Sequence, residues 1–568
     1  MMLVLDYLFA AIPMLGLLIF VHEFGHFVVA KACGVRVLKF SLGFGSPIGF
    51  GQHRLRWERG GTEYVIAWIP LGGFVRMLGE QLPGDEREPV EIPDDVTPDE
   101  YLESKPTWQK LSIMFAGPAM NLALPVLLFS IMLWAGIPKV DAVVGMVERA
   151  SPAAAAGLLP GDRILSVAGE PVRFWDEVDR EIRRRTDGEL ELVIERDGTP
   201  RVVALDLGSR SALDEYGDVR QIGWVGLDSQ RLPTLLGVPD GDSSAARAGV
   251  HSGDRILRVG EREVEDWEQL RAAYVALASS EPRPESVEIG LARGIEEDAP
   301  TLTVVLPVHE DLKAAGIISA SVLVGRVLEG APAERAGLAE GDLILSVDGL
   351  PVGSFRTFAD TVRSSQGRAL QIAFARDGVV HDVQMSPEER EVAGPFGIDG
   401  MEEKVYQVGI AHAMATLPGV MAVDQERNPI VALPRAVEMT AAYTGMLLRG
   451  LGKLLTFQLG ADQVRGPITI IQIARKSLDL GWQAYLITMI FISINLGVLN
   501  LLPIPILDGG QILIASIEGI KRSPISLRTR ELVQQAGFMV LVLLMGLAFW
   551  NDLSAQFEKF IEWLGTEL

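Results

Sequence analysis

His22-Glu23-Phe24-Gly25-His26 and Asn500-Leu501-Leu502-Pro503-Ile504-Pro505-Ile506-Leu507-Asp508-Gly509 lie almost at opposite ends of the chain, each inside an apolar run. Ionisable side chains are costly in hydrocarbon, so a His, Glu and Asp set among apolar helices calls for a functional reason. Histidines four apart on a helix stand one turn apart on one face, close enough to share a metal. Two imidazoles and one carboxylate give a catalytic zinc set that keeps a fourth position for water. Glu23 lies beside them in sequence and is the candidate general base. Asp508 is the candidate third ligand, with Cys33, the only cysteine, as the weaker alternative. Two neutral imidazoles, one carboxylate and one hydroxide would together cancel the charge of Zn2+, which makes the site tolerable in hydrocarbon.

Working outward, four blocks are apolar enough to cross a membrane. Residues 7–30 carry only His22, Glu23 and His26 as charged or imidazole groups, and residues 111–138, 484–507 and 532–550 carry no charge. Each is long enough, or nearly so, for a hydrocarbon core that needs about 20 helical residues. The first resembles a cleavable signal in length, but such a signal has no use for a metal motif, so a retained helix is expected. Lys31, Arg36, Lys39, Arg54, Arg56, Arg59, Lys105 and Lys110 cluster between the first two blocks, and Lys521, Arg522, Arg528 and Arg530 between the last two. Positive charge stays on the cytoplasmic side, so both termini and residues 139–483 are expected outside. The net charge of −23, from 74 acidic against 51 basic residues, argues against nucleic acid as a partner.

An internal repeat fills the middle of the chain. Ala156-Gly157-Leu158-Leu159-Pro160-Gly161-Asp162-Arg163-Ile164-Leu165-Ser166-Val167 recurs from Ala248 to Val259 and again from Ala336 to Val347. Trp175, Trp267 and Phe355 follow in register. The pattern reads as a Gly-Asp turn, a buried strand, a short hairpin and an aromatic that opens a helix. These segments resemble PDZ domains, which bind extended peptides beside a sheet edge; spacers or a steric lid are the alternatives for three such copies. Between Thr440 and Lys453 an amphipathic helix at the interface is expected.

The paired His22–His26 and Asn500–Gly510 signatures resemble the site-2 protease family of intramembrane zinc metalloproteases. The likeness extends to its bacterial RseP-type branch (regulator of sigma-E protease) through Phe40–Phe50, Ile69–Val75, Phe115-Ala116-Gly117-Pro118 with Asn121, Arg465-Gly466-Pro467-Ile468 and Leu544–Ala548 with Asn551-Asp552. The resemblance implies His22, His26 and Asp508 as Zn2+ ligands, Glu23 as the catalytic residue and Asn500 as a substrate-backbone clamp. Asn495 is a further candidate, and Gly43, Phe44 and Gly45 belong to a β-loop that would pair with an extended substrate strand. The chain departs from the branch in carrying three PDZ-like modules where two are usual.

The expectation is a multi-pass α-helical membrane protein of the bacterial inner membrane. It has four transmembrane helices, a cytoplasmic-side reentrant β-hairpin region and tandem extracytoplasmic PDZ (α+β) domains. Its parts are helix one at 1–30, the β-bearing loop at 31–110, helix two at 111–138 and modules at 139–207, 220–308 and 318–387. An interfacial segment at 388–483, helix three at 484–510 and helix four at 532–551 follow. The expected activity is zinc endopeptidase cleavage of single-span membrane proteins after a first extracytoplasmic cut, anti-sigma-factor type, with the modules as filter. The same chemistry on signal-peptide remnants and an inert PDZ scaffold are the alternatives.

Overall fold

The computed structural model describes residues 2–50, 53–79, 96–148, 150–214, 218–294, 299–392, 403–413, 416–456, 458, 464–523 and 525–566. The chain divides into two compact units, one built from Met1–Ile137 and Asp424–Leu568, the other from Pro138–Val392 and Glu403–Val423.

The first unit begins with helix α1 (Met2–Ala32) and helix α2 (Thr107–Ala135). Among the described residues four helical stretches are long and apolar enough to cross a membrane: Phe9–Ala32, Thr107–Ala135, Trp482–Asn500 and Arg528–Ser554. The two leading helices approach closely because Gly25 leaves no side chain between them; a Cβ there would stand 2.4 Å from the carbonyl oxygen of Ala116. Small residues at such crossings let membrane helices exchange close van der Waals contact. On one side of this point Met14 and Leu18 of α1 share a core with Leu124, Leu128 and Phe129 of α2.

Between these helices the strand Val37–Pro47 is flanked on both sides by one long strand, Thr62–Met77, which folds back on itself. Phe40 faces Tyr64 on one side and Val75 on the other. The fold-back passes through Gly72, whose φ of +147° suits a residue without Cβ. Phe40, Val75 and Met77 seat the sheet against Ala30 and Ile113, while Leu55, Trp57, Trp68 and Ile69 remain exposed.

The second unit contains one motif three times. Its four-stranded sheets run Thr199–Asp206, Glu189–Arg196, Arg163–Val167, Glu170–Pro171 in the first copy. The order is Thr301–Pro307, Ser286–Arg293, Asp254–Val259, Arg262–Glu263 in the second and Val379–Met385, Leu370–Arg376, Leu343–Val347, Leu350–Pro351 in the third. Each copy has a short helix, α3 (Pro152–Ala155), α5 (Ser244–Arg247) or α7 (Pro332–Arg335). Each also has a longer one that opens on the repeated aromatic: α4 (Trp175–Arg183), α6 (Trp267–Ala278) and α8 (Phe355–Ser364). The Gly-Asp pair acquires a physical meaning here. Asp162, Asp254 and Asp342 are buried, and each accepts from the backbone N–H three residues before it. Each carboxylate also pairs with an arginine at the end of a neighbouring strand, Arg196, Arg293 or Arg376. A buried charge is thereby both paired and hydrogen-bonded, as burial demands.

Strand pairing carries the copies past the boundaries drawn from sequence. Leu227–Asp228 pairs with Met146–Val147, Ile318–Ser319 with Leu236–Gly237, and Ile410–His412 with Val324–Val327. Hence the first copy closes beyond residue 207 and the third beyond 387. Part of the 388–483 segment therefore belongs to the module unit. Closing strands of two to four residues are too short to display a period-2 pattern, which is why they escape the eye. The third copy is fastened to the first: the buried Glu148 accepts from Ser354 Oγ (2.9 Å) and Thr357 Oγ1 (2.7 Å), and Arg210 pairs with Asp360 (3.1 Å).

The first unit is completed by α9 (Pro429–Leu455), α10 (Pro467–Asp479), α11 (Trp482–Asn500), α12 (Asp508–Lys521) and α13 (Leu527–Thr566). α9 is one long helix around the expected amphipathic stretch, and its Ala436 packs in the same core as Leu128 and Ile494. Helix three departs from the expected 484–510, because it ends at Asn500 and Asp508 opens the next helix. Pro503 and Pro505 lack the N–H that a continuing helix needs, so the chain turns between them. α10 starts at Gly466-Pro467 without a side chain of its own to cap it. The cap comes from α13: buried Asp552 accepts from the N–H groups of Gly466 (2.9 Å), Ile468 (2.9 Å) and Thr469 (3.2 Å), and from Thr469 Oγ1 (2.7 Å). Asn551 Nδ2 donates to Val464 O (2.9 Å) beside it. A carboxylate at a helix N-terminus satisfies orphan donors and opposes the helix dipole.

Removing that cap leaves buried donors unsatisfied. Asp552→Ala is expected to lower the stability of the purified protein by about 1–3 kcal/mol, read from thermal unfolding in detergent. Asp552→Asn, which keeps one accepting oxygen, should fall between the two.

Candidate metal centre

His22 and His26 project from one face of α1 and are both 8% exposed. Their Nε2 atoms are 3.3 Å apart. Asp508 Oδ2 lies 3.2 Å from His22 Nε2, and Oδ1 lies 3.4 Å from His26 Nε2. Zinc holds nitrogen and carboxylate ligands at about 2.0–2.2 Å, and tetrahedral geometry then sets neighbouring ligand atoms about 3.3–3.6 Å apart. The two Nε2 atoms already have that spacing, and each carboxylate oxygen of Asp508 stands close to that distance from one of them. Among the described residues they form the one His, Cys, Asp and Glu group with ligand-like geometry.

Asp508 arrives here through the broken backbone after α11. As the first residue of α12 its carboxylate also sits at the positive end of a helix dipole. Gly509 and Gly510 permit the fold-back: Cβ atoms on them would stand 2.2 Å from the carbonyl oxygens of Leu501 and Ile504. Cys33, the alternative ligand, lies seven residues beyond His26, about 10 Å further along the axis, and packs with the sheet at Val37 and Phe40. It takes no part in the cluster.

α2 supplies what the sequence reading did not assign. A Cβ on Gly117 would sit 2.2 Å from His26 Nε2 and 2.8 Å from His22 Cε1, so any side chain there would occupy the space in front of the ligand nitrogens. His26 Nδ1 donates to the carbonyl of Ile113 (2.8 Å). A carbonyl only accepts, so this contact places the proton on Nδ1 and leaves Nε2 bare for a metal. The donors, their spacing and the cleared space thus all fit zinc. The sole sequence signal for this role of α2 was a glycine followed by a proline and, shortly after, an asparagine in an apolar stretch.

Glu23 is half-buried on the flank of the histidine face, beside the backbone of Val75 in the long strand. Gly73 keeps that strand close, since a Cβ there would lie 3.4 Å from Glu23 Cγ. Asn500, the last residue of α11, brings its amide nitrogen 3.5 Å from His22 Nε2. Asn495 stands five residues earlier, about 140° round the helix, so it does not share the face of Asn500. Gly43, Phe44 and Gly45 lie in the strand Val37–Pro47. Gly43 has a φ of +90° and approaches the carbonyl of Ile69, and the ring of Phe44 stacks on Phe74 at 6.2 Å.

The profile of Peptidase family M50 matches residues 10–544. The regulator of sigma-E protease RseP of Escherichia coli K12 is 31% identical over 542 residues, which span 95% of this chain and 96% of that protein. Protease RseP of Yersinia pestis is 30% identical, over 98% of this chain and all of that one. A relative in Neisseria meningitidis serogroup A bears the name of a zinc metalloprotease and is 28% identical over 95% of this chain and 96% of its own. The chain belongs to peptidase family M50, the site-2 proteases, and is a zinc metalloprotease.

Proposed function

We propose that His22, His26 and Asp508 hold the zinc and that the enzyme cuts single-span membrane proteins within or beside their transmembrane helix. The observation that carries this reading is the convergence of two imidazole nitrogens 3.3 Å apart on the two oxygens of one carboxylate, each oxygen 3.2 or 3.4 Å from one nitrogen, inside a bundle of span-length helices, with Gly117 clearing the space in front of them. Zinc bound there supplies Lewis acidity toward a water and a scissile carbonyl. Glu23 takes the proton of that water as general base and passes it to the leaving amine.

A helical substrate hides its carbonyls in its own hydrogen bonds, so it must be unwound before hydrolysis. The freed backbone groups then need partners. Asn500 offers both a donor and an acceptor next to His22. The fold-back part of the long strand, Gly73–Val75 beside Glu23, offers a sheet edge for an extended segment, with Gly43, Phe44 and Gly45 shaping its neighbour. In this reading the sheet enters the membrane from the cytoplasmic side, where the positive residues cluster. The exposed Trp57, Trp68 and Ile69 suit an apolar surround.

The three repeated modules are read as PDZ-like domains on the extracytoplasmic face of the bacterial inner membrane. They exclude substrates that still carry a bulky ectodomain, which makes a prior cut obligatory. We take membrane-bound anti-sigma factors as the substrate class, a reading in keeping with relatives named regulator of sigma-E protease.

Glu23→Gln should keep wild-type zinc content yet lower cleavage of a trimmed single-span substrate by roughly 10²–10⁴-fold; equal rates would sink the assignment. Gly117→Val should fold but hold little zinc, measured by metal analysis after purification. Deleting residues 142–412 should let untrimmed substrate be cut as readily as trimmed. A persisting preference for the trimmed form would end the filter reading.

A further inference from the structure

The ring of His22 has a partner on each nitrogen, and only one partner is accounted for by the ligand set. Nε2 faces Asp508 and His26. Nδ1 lies 3.2 Å from the carboxamide of Asn121, a residue of α2 that is wholly buried. The nitrogen Nδ2 of that carboxamide is turned toward the ring, and its oxygen Oδ1 has no hydrogen-bond partner among the described residues.

Ligand chemistry decides which end of the amide belongs against His22. With Nδ2 toward the ring, Nδ1 must accept and the proton lies on Nε2, the atom that faces Asp508. An imidazole that gives its Nε2 lone pair to a metal carries its proton on Nδ1 and needs an acceptor there. Half a rotation of the carboxamide exchanges Nδ2 for Oδ1 at almost the same position. Ile113 already gives His26 such an acceptor, from the same helix and two turns away. The backbone at Asn121 is itself pinned, because its carbonyl accepts from Ser493 Oγ of α11 (2.7 Å).

We propose that Asn121 is the positioning residue for His22: its carboxamide oxygen accepts from Nδ1–H, fixing the tautomer and tilt in which Nε2 ligates zinc. This rests on His22 being a ligand, as proposed above. Asn121 touches neither water nor substrate, so its effect reaches the reaction only through the metal. α2 thereby sets the proton of both imidazoles, with a backbone carbonyl for His26 and a side chain for His22.

The test is zinc affinity, measured by competition with a chromophoric chelator on the full-length protein in detergent. Asn121→Leu keeps the size and removes the acceptor, and it should weaken zinc roughly 10–100-fold while the elution profile and thermal midpoint of the metal-free protein stay near wild type. Asn121→Asp, an acceptor without a donor, should bind zinc at least as tightly as wild type. Zinc held by the Leu variant at wild-type affinity would overturn the proposal. Should the Leu variant not fold, the Asp variant decides: a tenfold loss of affinity there would show that the amide acts as donor and overturn it equally. His22→Ala separates the two readings, since unchanged zinc affinity in that variant removes His22 from the ligand set, and the role of Asn121 falls with it. Loss in His22→Ala with none in Asn121→Leu refutes only the positioning role.

Discussion

A charged or hydrogen-bonding group placed among apolar helices has no water to turn to, so its partners must be built into the bundle. That constraint organises the membrane unit. His22 and His26 point at Asp508, His26 donates its one N–H, at Nδ1, to the Ile113 carbonyl, and Asp552 accepts from the first turn of α10. Such contacts are short-range, and they require the helices to come closer than ordinary side chains allow. Gly25, Gly117, Gly509 and Gly510 are the places where that closeness is bought with absent side chains.

The module unit solves the same problem by a different route. There the buried carboxylates of Asp162, Asp254 and Asp342 are each met by an arginine and a backbone amide, three times over. The repetition shows that the Gly-Asp motif specifies a turn held by charge. It is a fold determinant, and the motif alone carries no information about what the modules bind.

How much of this was legible in the sequence follows from what each feature leaves in the chain. The i, i+4 histidines and the apolar blocks are local patterns, and the helices occur where those patterns lie. Asp508 was legible as a residue but not as the start of a helix, because two prolines signal a break without saying where the next helix begins. Arg196, Arg293 and Arg376 look like any surface arginine until the fold brings them across 34 or 39 residues to their aspartates. Gly117 is harder still, since its contribution is empty space, and space has no chemical signature. The closing strands near Leu227 and Ile410 are too short to show an alternation of their own.

The cap on α10 has a consequence for the order in which the molecule can be finished. Its donors at Gly466, Ile468 and Thr469 precede their acceptor, Asp552, by more than eighty residues. A chain emerging from the ribosome completes α10, α11 and the start of α12 with Asp508 before the acid that caps α10 exists. That helix packs on α1 and α11, and the acceptor for its first turn arrives only with α13. α13 thus acts as a latch, closing the first turn of a helix made more than eighty residues before it.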